Sequence, residues 1–325
     1  MKSEISSKKA DQVILVKKEK KSYALKKCSF GCLDGYHALN ITNGCMHYCV
    51  YCYARGYSSA PPKGIVELYV NLPDLIKKEL SNPRKRSRPD LVIFNTSTDC
   101  FQPHPEILNT TFKCMEEILK RNITISFLTK GYIPEYFIDL FSKKRDFVRA
   151  QIGLISLNQE LVSKFEPFAP SVEERLYNIE RLVSVGIIPD VRLDPIIPFL
   201  TDTEECIESL FRRLKKTGIK RVTLSYLHIR PAIFEILRNE LDPSLLKLLD
   251  SCYSNRPWQK VGTSTMSKLL PVGIRKKGYQ RISKIAESFG IKATVCYCKN
   301  PDIKGSFCIS YRKPERAPQQ LMLPF

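Results

Sequence analysis

The stretch "GCMHYCVYCYARG", residues 44–56, sets Cys45, Cys49 and Cys52 in the spacing C-x3-C-x2-C. Four thiolates would close a zinc or iron–sulfur site and leave a structural plug. Three leave one metal position unfilled. A [4Fe–4S] cluster held by three cysteines has one iron open to another ligand, which is the logic of a catalytic metal. The spacing is also compatible with a zinc site completed by His47 or a distant cysteine, and with a cluster used only for electron transfer.

Outward from this loop, short apolar runs alternate with amphipathic stretches. "HALNIT" precedes the cysteines, and "DLVIF" (90–94), "ITISFL" (123–128), "AQIGLI" (150–155), "IIPDVRL" (187–193) and "RVTLSYL" (221–227) follow as buried strands. Ile207, Leu210, Phe211 and Leu214 recur at helical spacing, with Gly218 as a stop. In "SVEE", Ser171 and Glu174 can form a capping box on a helix that closes at Gly186. About six β-α units with a parallel sheet result, which fits a barrel or a doubly wound sheet. Polar residues gather where the strands stop: Asn95 to Asp99, Thr129 and Lys130, Ser156 and Asn158, Asp194, and His228. In a β/α barrel those ends share the catalytic face, so the pattern points to an enzyme.

The chain has 325 residues, 43% hydrophobic and 26% charged, enough for a sizeable core. No apolar run approaches the roughly 18 residues of a membrane span. The N-terminus is basic, but "QVILV" is short for a signal-peptide core, so a cytoplasmic location is expected. In that reducing compartment cysteines serve as ligands, catalysts or core residues more often than in disulfides. The formal net charge is +19, with basic runs in "KKEKKSYALKK", "RKRSR" (84–88), "RRLKKTGIKR" and "RKKGYQR". Such an excess favours a polyanion partner, nucleic acid first.

The C-x3-C-x2-C pattern, with Tyr51 just before its last cysteine, resembles the signature of the radical S-adenosylmethionine (SAM) superfamily. The resemblance extends over roughly residues 36–230. "GCMHYCVYCYAR", "STD", "LTK", "ISLNQELVSKFEP" with "SVEER", and "VRLDPIIPFLTD" together are similar to the branch containing spore photoproduct lyase and the DNA repair photolyases. The resemblance implies an α/β fold, a partial (β/α)6 TIM-type barrel, and a [4Fe–4S] cluster on Cys45, Cys49 and Cys52. It implies SAM chelating the open iron, and an external one-electron reductant such as flavodoxin or ferredoxin. Tyr51 would pack near the adenine. Ser97, Thr98 and Asp99 lie where the family contacts the methionine amino group, although its usual Gly-Gly-Glu is absent. Lys130 would pair with the methionine carboxylate, Ser156 and Asn158 would face the ribose, and Arg192 and Asp194 would line the deeper cavity. Spore photoproduct lyase returns a hydrogen atom from a cysteine near the end of the second strand; Thr96 occupies that place here. Cys100, four residues on, is the alternative donor, or a buried loop residue. Tyr53 could relay a radical or simply pack.

The remaining cysteines raise a second question. "CYCKNPDIKGSFC" places Cys296, Cys298 and Cys308 in one C-terminal loop, and "CSFGC" carries Cys28 and Cys32 upstream. They suggest a second metal site, such as an auxiliary iron–sulfur cluster, with Cys28 or Cys32 as a fourth ligand if the termini meet. Reduced cysteines in a packed tail are the other reading. Cys114, Cys206 and Cys252 are isolated and read as core or surface residues. His37 and His104 fall in loops near the expected site, and Trp258 in "NRPWQK" could stack a base or anchor the C-terminal region.

The expected organisation is a basic arm (1–35), a core barrel (36–230) and a cysteine-bearing extension (231–325). The expected activity is reductive SAM cleavage for repair or modification of a nucleic-acid base. Radical modification of a peptide or small metabolite is the rival. So is a nucleic-acid-binding iron–sulfur or zinc protein that does not cleave SAM.

Overall fold

The structure is a computed structural model that describes residues 13–29, 31–83, 88–261 and 266–306. Its centre is an eight-stranded sheet built outward from the six expected runs. In sheet order these are His37–Leu39, Leu91–Phe94, Thr124–Thr129, Val148–Gly153, Asp190–Ile196 and Arg221–Tyr226, all parallel. Their residues are nearly all buried on both faces, as parallel strands covered by helices require. Helices such as Pro105–Leu119 and Glu204–Lys216 cross between them.

The capping box holds. Ser171 Oγ accepts from Glu174 N, Glu174 reaches back to Ser171 N, and the helix Val172–Ser184 ends ahead of Gly186 at φ +84°. Gly44 opens the cysteine loop at φ +85°; a Cβ there would meet Ile65 O at 2.9 Å, so no other residue fits.

Two features lie beyond the expected pattern. Strand Lys292–Val295, preceded by helix Val272–Ser288, adds a seventh parallel strand beside Arg221–Tyr226, so the sheet continues past residue 230. Its short length and lysine start weakened its period-2 signal. The basic arm also contributes order: Ile14–Lys18 pairs in parallel with Ile65–Tyr69, and Lys26–Lys27 caps the sheet's other edge against His37–Leu39. Interspersed Val and Leu residues give lysine-rich segments enough apolar surface to dock. Residues 1–12 and 84–87 lie outside the described set. Among the described residues no helix is long and apolar enough to cross a membrane.

Candidate active site

The strand ends open into a cavity of about 510 Å³. Cys45, Cys49 and Cys52 line one side of it, held by the loop between the first two barrel strands. Burial pushes the Cys49 thiol up to about 12, with Lys130 only partly offsetting it. The protein alone therefore does not produce the thiolate; a bound metal would.

Several side chains fix this loop. Gln102 accepts from Met46 N at 2.8 Å through Oε1 and donates through Nε2 to Thr42 Oγ1 at 2.8 Å. Val50 N donates to Phe165 O at 2.9 Å. The Tyr51 hydroxyl donates to Glu166, and burial, reinforced by that carboxylate, keeps the phenol protonated. Arg175, fully buried, pairs with Glu166 and donates to Gly153 O at 3.1 Å. Sequence reasoning missed the roles of Gln102, Glu166 and Arg175; the last two fall within "ISLNQELVSKFEP" and "SVEER", a signal that could have found them.

Asp99 is a brace. Its Oδ1 accepts from Thr129 Oγ1 at 2.7 Å and Phe101 N at 2.9 Å, and its Oδ2 from Lys130 N at 2.8 Å. Burial would raise its carboxyl, but His47 at 3.5 Å and these donors hold it below the usual range. His47 thus faces Asp99 and the Phe168 carbonyl. Thr98 Oγ1 accepts from Asn95 Nδ2 at 2.7 Å, and both Ser97 and Thr98 line the cavity.

Lys130 lines the cavity with its ammonium 5.7 Å from the Tyr51 ring centre. Burial alone would lower its pKa, yet the acidic groups around it, the Glu166 carboxylate among them, outweigh this and keep it cationic. A cavity-lining cation beside three thiols fits the carboxylate of a small zwitterion. Arg192, Asp194, His228, Arg230 and Lys299 also line the cavity. Asp194 accepts from Arg192 Nη2 at 2.6 Å and Lys299 Nζ at 2.6 Å, which overcome burial and keep it ionised. Tyr53 also lines the cavity; its hydroxyl donates to Thr96 O and the Arg230 guanidinium lies 4.6 Å over its ring.

Some expected residues sit elsewhere. Ser156 and Asn158 are not in the cavity wall. The Asn158 side chain caps helix Gln159–Phe165 by accepting from Leu161 N at 3.0 Å, and Ser156 Oγ accepts from Asn158 N at 3.1 Å. Cys100 is fully buried in the apolar core and does not line the cavity; its backbone carbonyl accepts from Thr111 Oγ1 of helix Pro105–Leu119 at 3.0 Å. His104 likewise caps that helix, accepting from Glu106 N at 3.2 Å. Trp258 stands outside the cavity, beneath Lys268 at 5.2 Å.

The second cysteine group also differs from expectation. The sulfurs of Cys32, Cys296 and Cys298 all lie within 4.8 Å of one another. Cys28 is not among them: its backbone is bonded to Tyr36 O and Gly35 N in the turn at the sheet edge. Cys308 lies outside the described residues.

A parallel partial barrel with three cysteines and a lysine lining the cavity at its strand ends is the architecture of a metal-cluster enzyme. A family model described as the Radical SAM superfamily matches residues 39–214, and the chain belongs to that superfamily. A protein of Pseudomonas phage M6 named Radical SAM Nalpha-GlyT isomerase is 24% identical over 258 residues, 78% of this chain and 52% of that one. An uncharacterized protein of Acidianus two-tailed virus is 27% identical over 223 residues, covering 64% of this chain and 72% of the viral one. Thus the chain spans only about half the length of the phage relative. Among solved structures, spore photoproduct lyase complexed with dinucleoside spore photoproduct superposes with a TM-score of 0.65 at 18% identity, over 87% of this chain and 82% of that one. That likeness establishes the fold.

Proposed function

We propose that this radical SAM enzyme repairs or modifies a nucleic-acid base. The observation that carries the reading is the charged part of the cavity lining. It sets Arg192, Lys299 and Arg230 against one carboxylate, Asp194, beside the rings of Tyr53 and Tyr57. A net cationic, aromatic-lined wall suits a phosphodiester and a base. The +19 net charge supports the same class of partner.

The residues fit the cofactors of the superfamily. Cys45, Cys49 and Cys52 would hold a [4Fe–4S] cluster, and Lys130 would take the carboxylate of SAM. When bound, these groups supply one-electron cleavage of SAM and a 5′-deoxyadenosyl radical. The chain's own part is positional. Gln102 and the Tyr51–Glu166–Arg175 relay hold the loop, Asp99 holds the Lys130 backbone, and the cationic wall presents the substrate. A cytoplasmic setting and a flavodoxin- or ferredoxin-type reductant belong to the same reading.

The test is anaerobic reconstitution followed by SAM and dithionite, with and without DNA or RNA oligonucleotides. We expect 5′-deoxyadenosine that Cys45→Ala abolishes, and its stimulation by one nucleic acid whose binding weakens steeply with salt. Stimulation by peptides or metabolites alone would transfer the substrate to the rival class. Salt-dependent binding with no nucleoside from the loaded protein would make this a binding protein.

A further inference from the structure

We infer that Cys32, Cys296 and Cys298 hold a single zinc ion that clasps the two edges of the open barrel together. The inference stands apart from the nucleic-acid reading. In sheet order the edges are Lys26–Lys27 and Lys292–Val295. Cys32 follows the first of these in the short turn Gly31–Leu33, and Cys296 directly follows the second. Residues 264 positions apart are thus brought sulfur to sulfur at the place where a complete barrel would close.

The approach is built in. Gly31 adopts φ +52°, and a Cβ on it would lie 2.8 Å from the Cβ of Cys298. Only glycine lets the turn of Cys32 settle on the turn Tyr297–Lys299. Beneath, Cys296 N donates to Leu224 O at 3.1 Å, and the Asn300 side chain donates to Cys296 O at 3.0 Å. Asn300 is itself held by Arg275 at 2.9 Å. The ligand loop is therefore anchored from both sides.

The sulfur spacing selects one ion over a cluster. Thiolates about 2.3 Å from a tetrahedral zinc stand about 3.8 Å apart. The three sulfurs here lie within 4.8 Å, with Cys296 and Cys298 at 3.3 Å. At that distance Cys296 and Cys298 form no disulfide bond. Thiolates on separate irons of a four-iron cluster stand further apart than thiolates on one ion. Cys45, Cys49 and Cys52 show the wider arrangement: among the described residues no other three thiol, imidazole or carboxylate ligands meet within 4.8 Å. The two cysteine sets therefore differ in the nuclearity they suit. Cys32 and Cys298 also line the cavity, so the ion braces the wall that carries Lys299.

The experiment is metal analysis of the full chain, unmutated and with Cys45, Cys49 and Cys52 replaced by alanine, from cells supplied with zinc and iron. The expected result is about one zinc per chain in both. It falls to near zero on Cys32→Ser or Cys298→Ser and is unchanged on Cys28→Ser. Cobalt(II) titration guards against misfolding as the cause. The triple-alanine chain should give intense thiolate-to-cobalt absorption with tetrahedral ligand-field bands, weakened by each serine replacement. A four-iron chromophore in the triple-alanine chain would overturn the assignment. So would zinc retained undiminished in both serine variants, or a Cys296–Cys298 disulfide in anaerobically purified protein.

Discussion

Tyr51 and Glu166, 115 residues apart in sequence, are joined by a buried hydrogen bond in which the phenol donates to the carboxylate. Glu166 is in turn paired with Arg175, and both charged side chains are fully shielded from water. The residue beside Cys52 is thus held by a charge pair distant in sequence. Removing one member of such a pair strands the other. Arg175→Met should destabilise the protein by about 3–5 kcal/mol. Urea unfolding of the single and double variants checks this, and Arg175→Met with Glu166→Gln should lose less than the sum of the two.

Lys130 lines the cavity together with Cys45, Cys49 and Cys52. Lys130→Met should weaken SAM binding about ten- to a hundredfold, the worth of one charge-assisted hydrogen bond. Iron content should not change. Gly153→Ala should act in the same direction more weakly, since a Cβ there would sit 3.0 Å from Lys130 Cγ. Equilibrium binding of SAM to the reconstituted variants decides it, and undiminished affinity in Lys130→Met would remove the carboxylate role.

Cys100 is sealed in the core rather than exposed to the cavity. Cys100→Ala should therefore leave 5′-deoxyadenosine formation and substrate turnover within about twofold of the parent, at a stability cost of about 1 kcal/mol. Turnover that collapses while SAM cleavage persists would instead make this thiol a hydrogen-atom donor.

His228 gives the site a pH dependence. Burial, then the Lys299 charge, depress its pKa from 6.5 to about 3. Its buried Nε2 has no hydrogen-bond partner among the described residues. Unfolded, the imidazole takes a proton below 6.5; folded, it does so only near 3. The folded state binds fewer protons across that window, so the contribution is complete above 6.5 and lost as pH falls towards 3. Between about pH 7 and pH 5, His228→Gln should lose less stability than the parent, as read from paired unfolding curves.

The sequence by itself determined what is local. The spacing of Cys45, Cys49 and Cys52, the six apolar runs, the capping box at Ser171 and the polar residues at the strand ends are set by contacts a few positions apart. Their periodicity is therefore visible in the chain. Lys130, Arg192 and Asp194 could be placed on the cavity because each ends a strand, and strand ends converge in a barrel. Ser156 and Asn158 obeyed the same pattern but serve a helix cap, since polar residues after strands answer to turn chemistry as well. Tertiary structure alone decided that Glu166 and Arg175 hold Tyr51, that Gln102 fastens the cysteine loop, and that Cys32 rather than Cys28 meets Cys296 and Cys298. These contacts join segments tens to hundreds of residues apart. No local spacing encodes them, because they exist only once the parallel sheet has curved its two edges together.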